Sequence, residues 1–280
     1  MKLVKHKLSL FLKGIENFFL FSNRKAAVYL PTFHNIPASE MERFKKLVGK
    51  LQEKYIFIDP NTFISFLKGD LELTNNHLLV TFDDGYYSNY SAAKEVLDPL
   101  GIKAIFFVST GFIYSKSQAA QEQFYIRNIC EGKNQSNLND MKPMSWENLS
   151  ELVDSGHIIG AHSKNHLRLS DIDSAHLLKE EIISSGDRIE EILGIKVEHF
   201  AFPFGDIGSI SENAIKMAGT RYKYVYSSIR GRNSYGTSPL AIRREIVNIS
   251  DDIAYDTIVA GGGLSFYYFR ARRRLDGMLS

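Results

Sequence analysis

The sequence predicts an α/β chain folded as a distorted (β/α) barrel of about seven parallel strands. Three observations carry that expectation. Seven short apolar runs punctuate the chain, longer amphipathic stretches lie between several of them, and no dinucleotide-type glycine fingerprint is present. The missing fingerprint favours a barrel over a doubly wound sheet, the other architecture that alternating strand and helix allow. The 280 residues, 44% apolar and 24% charged, have room for one large domain or two small ones. That composition excludes a disordered or collagen-like chain.

The strand candidates are residues 27–33, 78–82, 104–108, 158–161, 199–202, 224–227 and 241–248, each short and apolar. Helical periodicity marks 39–54, 88–100, 145–155, 174–193 and 211–218. The polar stretch 114–142 reads as an excursion from the scaffold with a helix around 121–129, and Gly261–Gly263 reads as a flexible joint. One cysteine, Cys130, excludes a disulfide scaffold. No run approaches the ~18 uncharged apolar residues needed to cross a bilayer.

Net charge is +2, too small to point to a nucleic-acid partner, but it is unevenly placed. Residues 1–25 carry six cations against Glu16, and residues 264–280 carry Arg270, Arg272, Arg273 and Arg274 against Asp276. The expected organisation is therefore a basic amphipathic segment over 1–26, a domain over 27–262, and a basic aromatic tail over 263–280. The start resembles a signal peptide, but Lys13 and Glu16 interrupt its apolar region and no small-residue cleavage site follows. The expectation is a cytoplasmic chain. Both ends suit peripheral contact with the headgroup layer of an anionic membrane, while packing on the domain describes them equally well.

In a parallel barrel, chemistry collects at the C-terminal ends of the strands. Polar residues expected there are His34, Asp83 and Asp84, Ser109 and Thr110, His162 and His166, the Pro203–Phe204 pair, and an arginine in the last strand. Asp83 and Asp84 precede Gly85, where a turn brings both carboxylates toward one cavity. Two such charges repel, and a divalent cation on one leaves the other an ionised base. A plain turn or helix cap accounts for Asp-Asp-Gly equally. His162 and His166, four residues apart, are spaced to reach one ion, and with a carboxylate they make a three-ligand site with open positions. Chance surface histidines remain the alternative.

Thr81-Phe82-Asp83-Asp84-Gly85, His162-Ser163-x-x-His166 and Phe200-Ala201-Phe202-Pro203-Phe204-Gly205 resemble, in order, the first three motifs of the polysaccharide deacetylases. The resemblance implies a barrel of the glycoside hydrolase/deacetylase type with one divalent metal ion, often zinc. It implies that Asp84, His162 and His166 hold the metal, that Asp83 is the general base, and that a backbone N–H near Phe204, beside Pro203, meets the oxyanion.

Three departures accompany the resemblance. Ala201 stands where an arginine often orients the base; in the subset of the family with this apolar version an arginine from the last strand looks like the replacement, Arg244 first and Arg243 second. The leucine-x-x-histidine motif that supplies the usual general acid is absent, which leaves His34 as the substitute. The tryptophan-containing motif is also absent, with residues 224–227 in its region. The implied activity is metal-dependent hydrolysis of the N-acetyl group of an amino sugar, in a saccharide or a lipid-linked saccharide precursor. An O-acetyl esterase, a small-amide hydrolase and a non-catalytic glycan-binding protein are the alternatives.

Overall fold

In the computed structural model, which describes residues 26–132, 140–250 and 252–279, two of the expected strands are each split in two. The first run divides into β1 (Ala27–Tyr29) and β2 (Pro31–Phe33). Pro31 has no amide hydrogen to give to a ladder, so the chain changes partners there. After β3 (Ile56–Phe57), the second run divides likewise into β4 (Asn76–Leu78) and β5 (Val80–Phe82). The first halves join β3 in a small parallel sheet ordered β1–β4–β3.

The second halves enter the main sheet with β6 (Ala104–Val108), β7 (Ile158–Ala161), β8 (His199–Ala201), β9 (Tyr224–Tyr226) and β10 (Glu245–Ile246). Its order is β10–β2–β5–β6–β7–β8–β9, parallel at every pairing. The two edges meet through one segment. Ile242 bridges Tyr226 in parallel, and three residues later Glu245 pairs with Pro31. The sheet therefore curls into the seven-stranded barrel that the sequence predicts. The expected 241–248 strand shrinks to two residues because the Asn233 side chain accepts from the Arg243 N–H at 2.9 Å and donates to its carbonyl at 2.9 Å. An amide side chain stands there in place of a neighbouring strand.

Alternation along the strands sorts two cores. Leu30, Leu79, Ile105, Phe107, Ala201, Tyr226 and Ile242 fill the barrel interior. Phe33, Phe82 and Phe106, adjacent in register, face the helices, with Phe82 stacked on Phe106 at 4.8 Å and Phe44 edge-on to Phe33. Phe44 belongs to α1 (Met41–Gln52), whose buried Phe44, Leu47, Val48 and Leu51 follow helical spacing. α2 (Pro60–Lys68) was not expected, though its signals are local: Asp59 caps the Asn61 and Thr62 amides, Pro60 opens the helix, and Gly69 closes it at positive φ. α3 (Tyr87–Ala92) continues through tighter and wider turns to Leu100. α4 (Thr110–Ile113) and α5 (Gln118–Phe124) begin the excursion, and α6 (Trp146–Asp154), α7 (Ala175–Leu193) and α8 (Glu212–Arg221) cover the sheet.

The chain ends in α9 (Ile253–Ala260) and α10 (Phe269–Gly277). Between them Gly261–Gly263 is a packed turn rather than the flexible joint expected: all three residues are buried and donate backbone hydrogen bonds into α9. Gly262 sits at φ +81°, where an added Cβ would lie 2.2 Å from Tyr29 Cε1. α10 is anchored by buried Leu275 and by Asp276, which accepts both bonds from one Arg243 nitrogen. The basic segment 1–25 lies outside the described residues. Among the described residues, no helix is long and apolar enough to cross a membrane.

His157 is buried, with Nδ1 accepting from the Ala104 N–H and Nε2 facing Asp98 at 3.0 Å. His199 is buried against the Tyr226 hydroxyl at 2.8 Å. Burial pushes both imidazoles down to about 4. An unfolded histidine titrates near 6.5, so the unfolded chain takes up these protons first as the pH falls. Their stabilisation is complete above about pH 6.5 and declines toward pH 4, by on the order of 3 kcal/mol per histidine. Thermal melts across that range are expected to fall steeply for the wild type and less steeply for His199→Phe.

Candidate active site

The turn that follows β5 aims two carboxylates at one space. Asp84 takes φ 72° and Gly85 φ 93°, and the Gly85 N–H donates to the Asp83 carbonyl at 2.9 Å. Both aspartates are about 1% exposed. A charge so placed needs compensation. For Asp83 it comes from Arg244, whose two terminal nitrogens donate to Oδ1 at 2.6 Å and Oδ2 at 2.8 Å. Burial works to raise the Asp83 pKa, but the Arg244 charge and hydrogen bond, together with His162 and His34, outweigh it and hold the carboxyl below its usual range.

Arg244 is itself fully buried, donates from Nε to the Ser227 carbonyl at 2.9 Å, and lies 5.2 Å from the Phe107 ring centroid. Arg243, the second candidate, points the other way to Asp276, as alternation along a strand requires.

Asp84 has a different surrounding. Its Oδ1 lies 3.1 Å from His166 Nε2 and 3.5 Å from His162 Nε2, and it is a buried oxygen without a hydrogen-bond partner. Each imidazole directs Nδ1 at a carbonyl, His162 at Ala201 (2.8 Å) and His166 at Asn128 (2.9 Å). A carbonyl only accepts, so Nδ1 carries the hydrogen in both rings, and in the neutral form each Nε2 presents a lone pair toward Asp84. The three donor atoms lie within 4.8 Å of one another. Two imidazole nitrogens and one carboxylate oxygen, buried together with an orphaned oxygen at the centre, fit a divalent cation. Asp84 is held well below the usual carboxylate range by the two imidazoles, against the effect of burial.

The histidine loop is strained and firmly tied. Ser163 and His166 take φ 61° and 54° without being glycine. Ser163 Oγ accepts the His166 N–H, and buried Glu181 on α7 accepts both the backbone and side-chain N–H groups of Asn165 at 2.8 and 2.7 Å. Gly111 permits the close approach of α4, since a Cβ there would lie 2.7 Å from the Lys164 carbonyl. Neither Glu181 nor Asn128 was singled out in the sequence. Their signal is tertiary, and only the fold places them behind the histidines.

His34 directly follows β2, with its side chain 40% exposed and Nε2 3.9 Å from Asp83 Oδ2. Phe204 takes φ 60° in the turn between Pro203 and Gly205, with its ring against His166 at 4.8 Å and under the Arg168 guanidinium at 4.3 Å. A cavity of about 450 Å³ opens above the cluster, lined by residues including His34, Asn35, Asp84, Tyr86, Tyr125 and Met141. Tyr86, also missed in the sequence, is buried beside Asp84, and burial together with that charge raises its hydroxyl well above its usual value.

Arg244→Met leaves the Asp83 charge buried and unpaired, and is expected to cost about 3–5 kcal/mol in denaturant unfolding at neutral pH. Because the folded pKa of Asp83 is depressed, the pair's contribution is complete above the unfolded value near 4 and is lost as the pH falls through the lower folded value. The difference between wild type and variant is therefore expected to narrow in acid.

A family model described as polysaccharide deacetylase matches residues 71–223, more than half of the chain. No curated protein matches the sequence significantly. Among solved structures, IcaB from Ammonifex degensii superposes with a TM-score of 0.66 at 23% identity, over 85% of this chain and 100% of that one. The deacetylase PplD of Streptococcus pyogenes, in complex with acetate, gives 0.63 at 17% identity over 83% of this chain and 97% of that one. A de-N-acetylase from Aggregatibacter actinomycetemcomitans gives 0.64 at 13% identity over 82% of this chain and 98% of that one. At these identities the superpositions establish the shared fold. With the family match over the segment that carries the two aspartates and the histidine pair, the chain belongs to the polysaccharide deacetylase family of hydrolases.

Proposed function

We propose that the protein removes the N-acetyl group from an amino sugar of an N-acetylated saccharide or lipid-linked saccharide, releasing acetate. One observation carries this reading: an arginine-paired carboxylate stands beside a second carboxylate whose buried oxygen is faced by two imidazole nitrogens. Asp84, His162 and His166 would hold one divalent cation, for which zinc is the natural choice with imidazole and carboxylate donors. When bound, such a cation acidifies water and polarises a carbonyl oxygen.

The remaining work belongs to the chain's own side chains. Asp83 takes the proton of the attacking water at Oδ2, the oxygen that faces both His34 and His162. Arg244 keeps that carboxylate ionised and fixes its plane through two bonds, in the role that an arginine at position 201 would otherwise fill. The backbone N–H at Phe204 stabilises the developing oxyanion, and the Pro203–Gly205 turn sets its direction. His34 protonates the departing amine from Nε2, on the open side of the site. The cavity over the cluster has the size of a small-molecule pocket, and its mixed aromatic and polar walls suit a sugar ring. The acetate in the PplD complex is the product that this reaction would leave.

Acetate release from N-acetylated oligosaccharides is expected to stop on chelation and to return with added zinc. Asp83→Asn is expected to lower turnover by about 10²–10⁴-fold while still binding one metal ion per chain by titration calorimetry. Full activity in that variant removes the base assignment, and acetate released only from O-acetylated sugars removes the amide assignment.

A further inference from the structure

Four consecutive aromatic side chains, Phe266, Tyr267, Tyr268 and Phe269, are between 37% and 60% exposed. Aromatic surface of that extent facing water marks an interaction site. It is rigidly mounted. The buried Ser265 hydroxyl donates to Glu245 Oε1 at 2.8 Å, Arg272 donates to the Arg230 carbonyl at 2.9 Å, and Leu275 buries the inner face of α10. Next to the aromatics, Arg270, Arg273 and Arg274 are exposed. No carboxylate among the described residues pairs with them, and the only acid on α10, Asp276, is engaged by Arg243.

The first 25 residues carry a further six cations against one acid. The chain between the two ends carries a net −6. A flat anionic surface therefore attracts this edge and repels the rest.

We propose that Phe266–Phe269 together with Arg270, Arg273 and Arg274 form a docking surface for a bilayer containing anionic lipid. The rings enter the headgroup layer, where an aromatic body and a hydroxyl are both accommodated, and the guanidinium groups pair with lipid phosphates. The surface lies outside the catalytic cavity, and the proposal goes beyond the deacetylase reading.

The test is flotation of the full chain with vesicles of phosphatidylcholine alone and of phosphatidylcholine mixed with phosphatidylglycerol. Binding is expected to the mixed vesicles only and to weaken as salt is raised. Phe266→Ser combined with Tyr267→Ser and Phe269→Ser is expected to abolish it. Arg270→Glu with Arg273→Glu and Arg274→Glu is expected to reduce partitioning by about a hundredfold or more. The Arg→Gln set, which removes charge without reversing it, is expected to give a smaller loss in the same direction. Thermal melts and acetate release from a water-soluble substrate are expected to stay at wild-type values in all three sets, which separates failure of docking from failure of the site. The proposal is overturned if the wild type ignores anionic vesicles, if the variants bind them as tightly as the wild type does, or if the aromatics instead mediate dimerisation without vesicle binding.

Discussion

A carboxylate with almost no contact with water remains charged at the heart of this site because a guanidinium grips both of its oxygens. Asp83 and Arg244 are 161 positions apart, and they meet only because the barrel closes. The closing segment touches β9 at Ile242 and β2 at Glu245, and Arg244 lies between these two contacts. Alternation then sends Arg244 inward while Arg243 and Glu245 face outward. Closure, alternation and the buried ion pair are thus one constraint seen at three scales.

Around that pair the backbone departs from comfortable geometry in a concentrated way. Asp84, Ser163, His166 and Phe204 all adopt left-handed conformations without being glycine, and all four stand at the site. Such conformations persist only where surrounding bonds over-determine them. Here those bonds are identifiable: the Gly85 N–H behind the aspartates, Ser163 Oγ and Glu181 behind the histidine loop, and the Gly205 carbonyl, which accepts from the Ser228 N–H at 2.7 Å. Carbonyls at Ala201 and Asn128 complete the arrangement by fixing which nitrogen of each imidazole faces Asp84. Strained backbone and pre-set tautomers keep the donors converged without a side chain having to reorganise.

The fold was legible in the sequence wherever a physical pattern is local. Residues 104–108 and 158–161 appear as strands with the expected bounds because both faces are buried and nothing interrupts the apolar run. The divisions at Leu30 and Leu79 were not legible, since a change of ladder partner leaves no periodicity of its own. α2 is marked by the capping residues Asp59, Pro60 and Gly69 at its ends and not by a long apolar period. At the site, adjacent motifs pointed to the aspartates and histidines, and the missing arginine at position 201 directed attention to the last strand. Glu181, Asn128 and Tyr86 were invisible because their roles depend on neighbours supplied by other elements.

The seam behind β10 carries a consequence for the chemistry. Two ladder residues are too few to hold a strand rigidly, and the stiffness felt by Arg244 is borrowed from outside the barrel. Glu245 supplies part of it by accepting bonds from Arg230, the Gly231 amide and Ser265, and burial pushes its carboxyl up to about 7. Near neutrality this acid is poised between its two protonation states, one residue from the guanidinium that orients the base. Loss of the Ser265 hydroxyl in a relative would therefore register as altered catalytic alignment, although Ser265 itself stands outside the barrel and touches none of the reacting atoms.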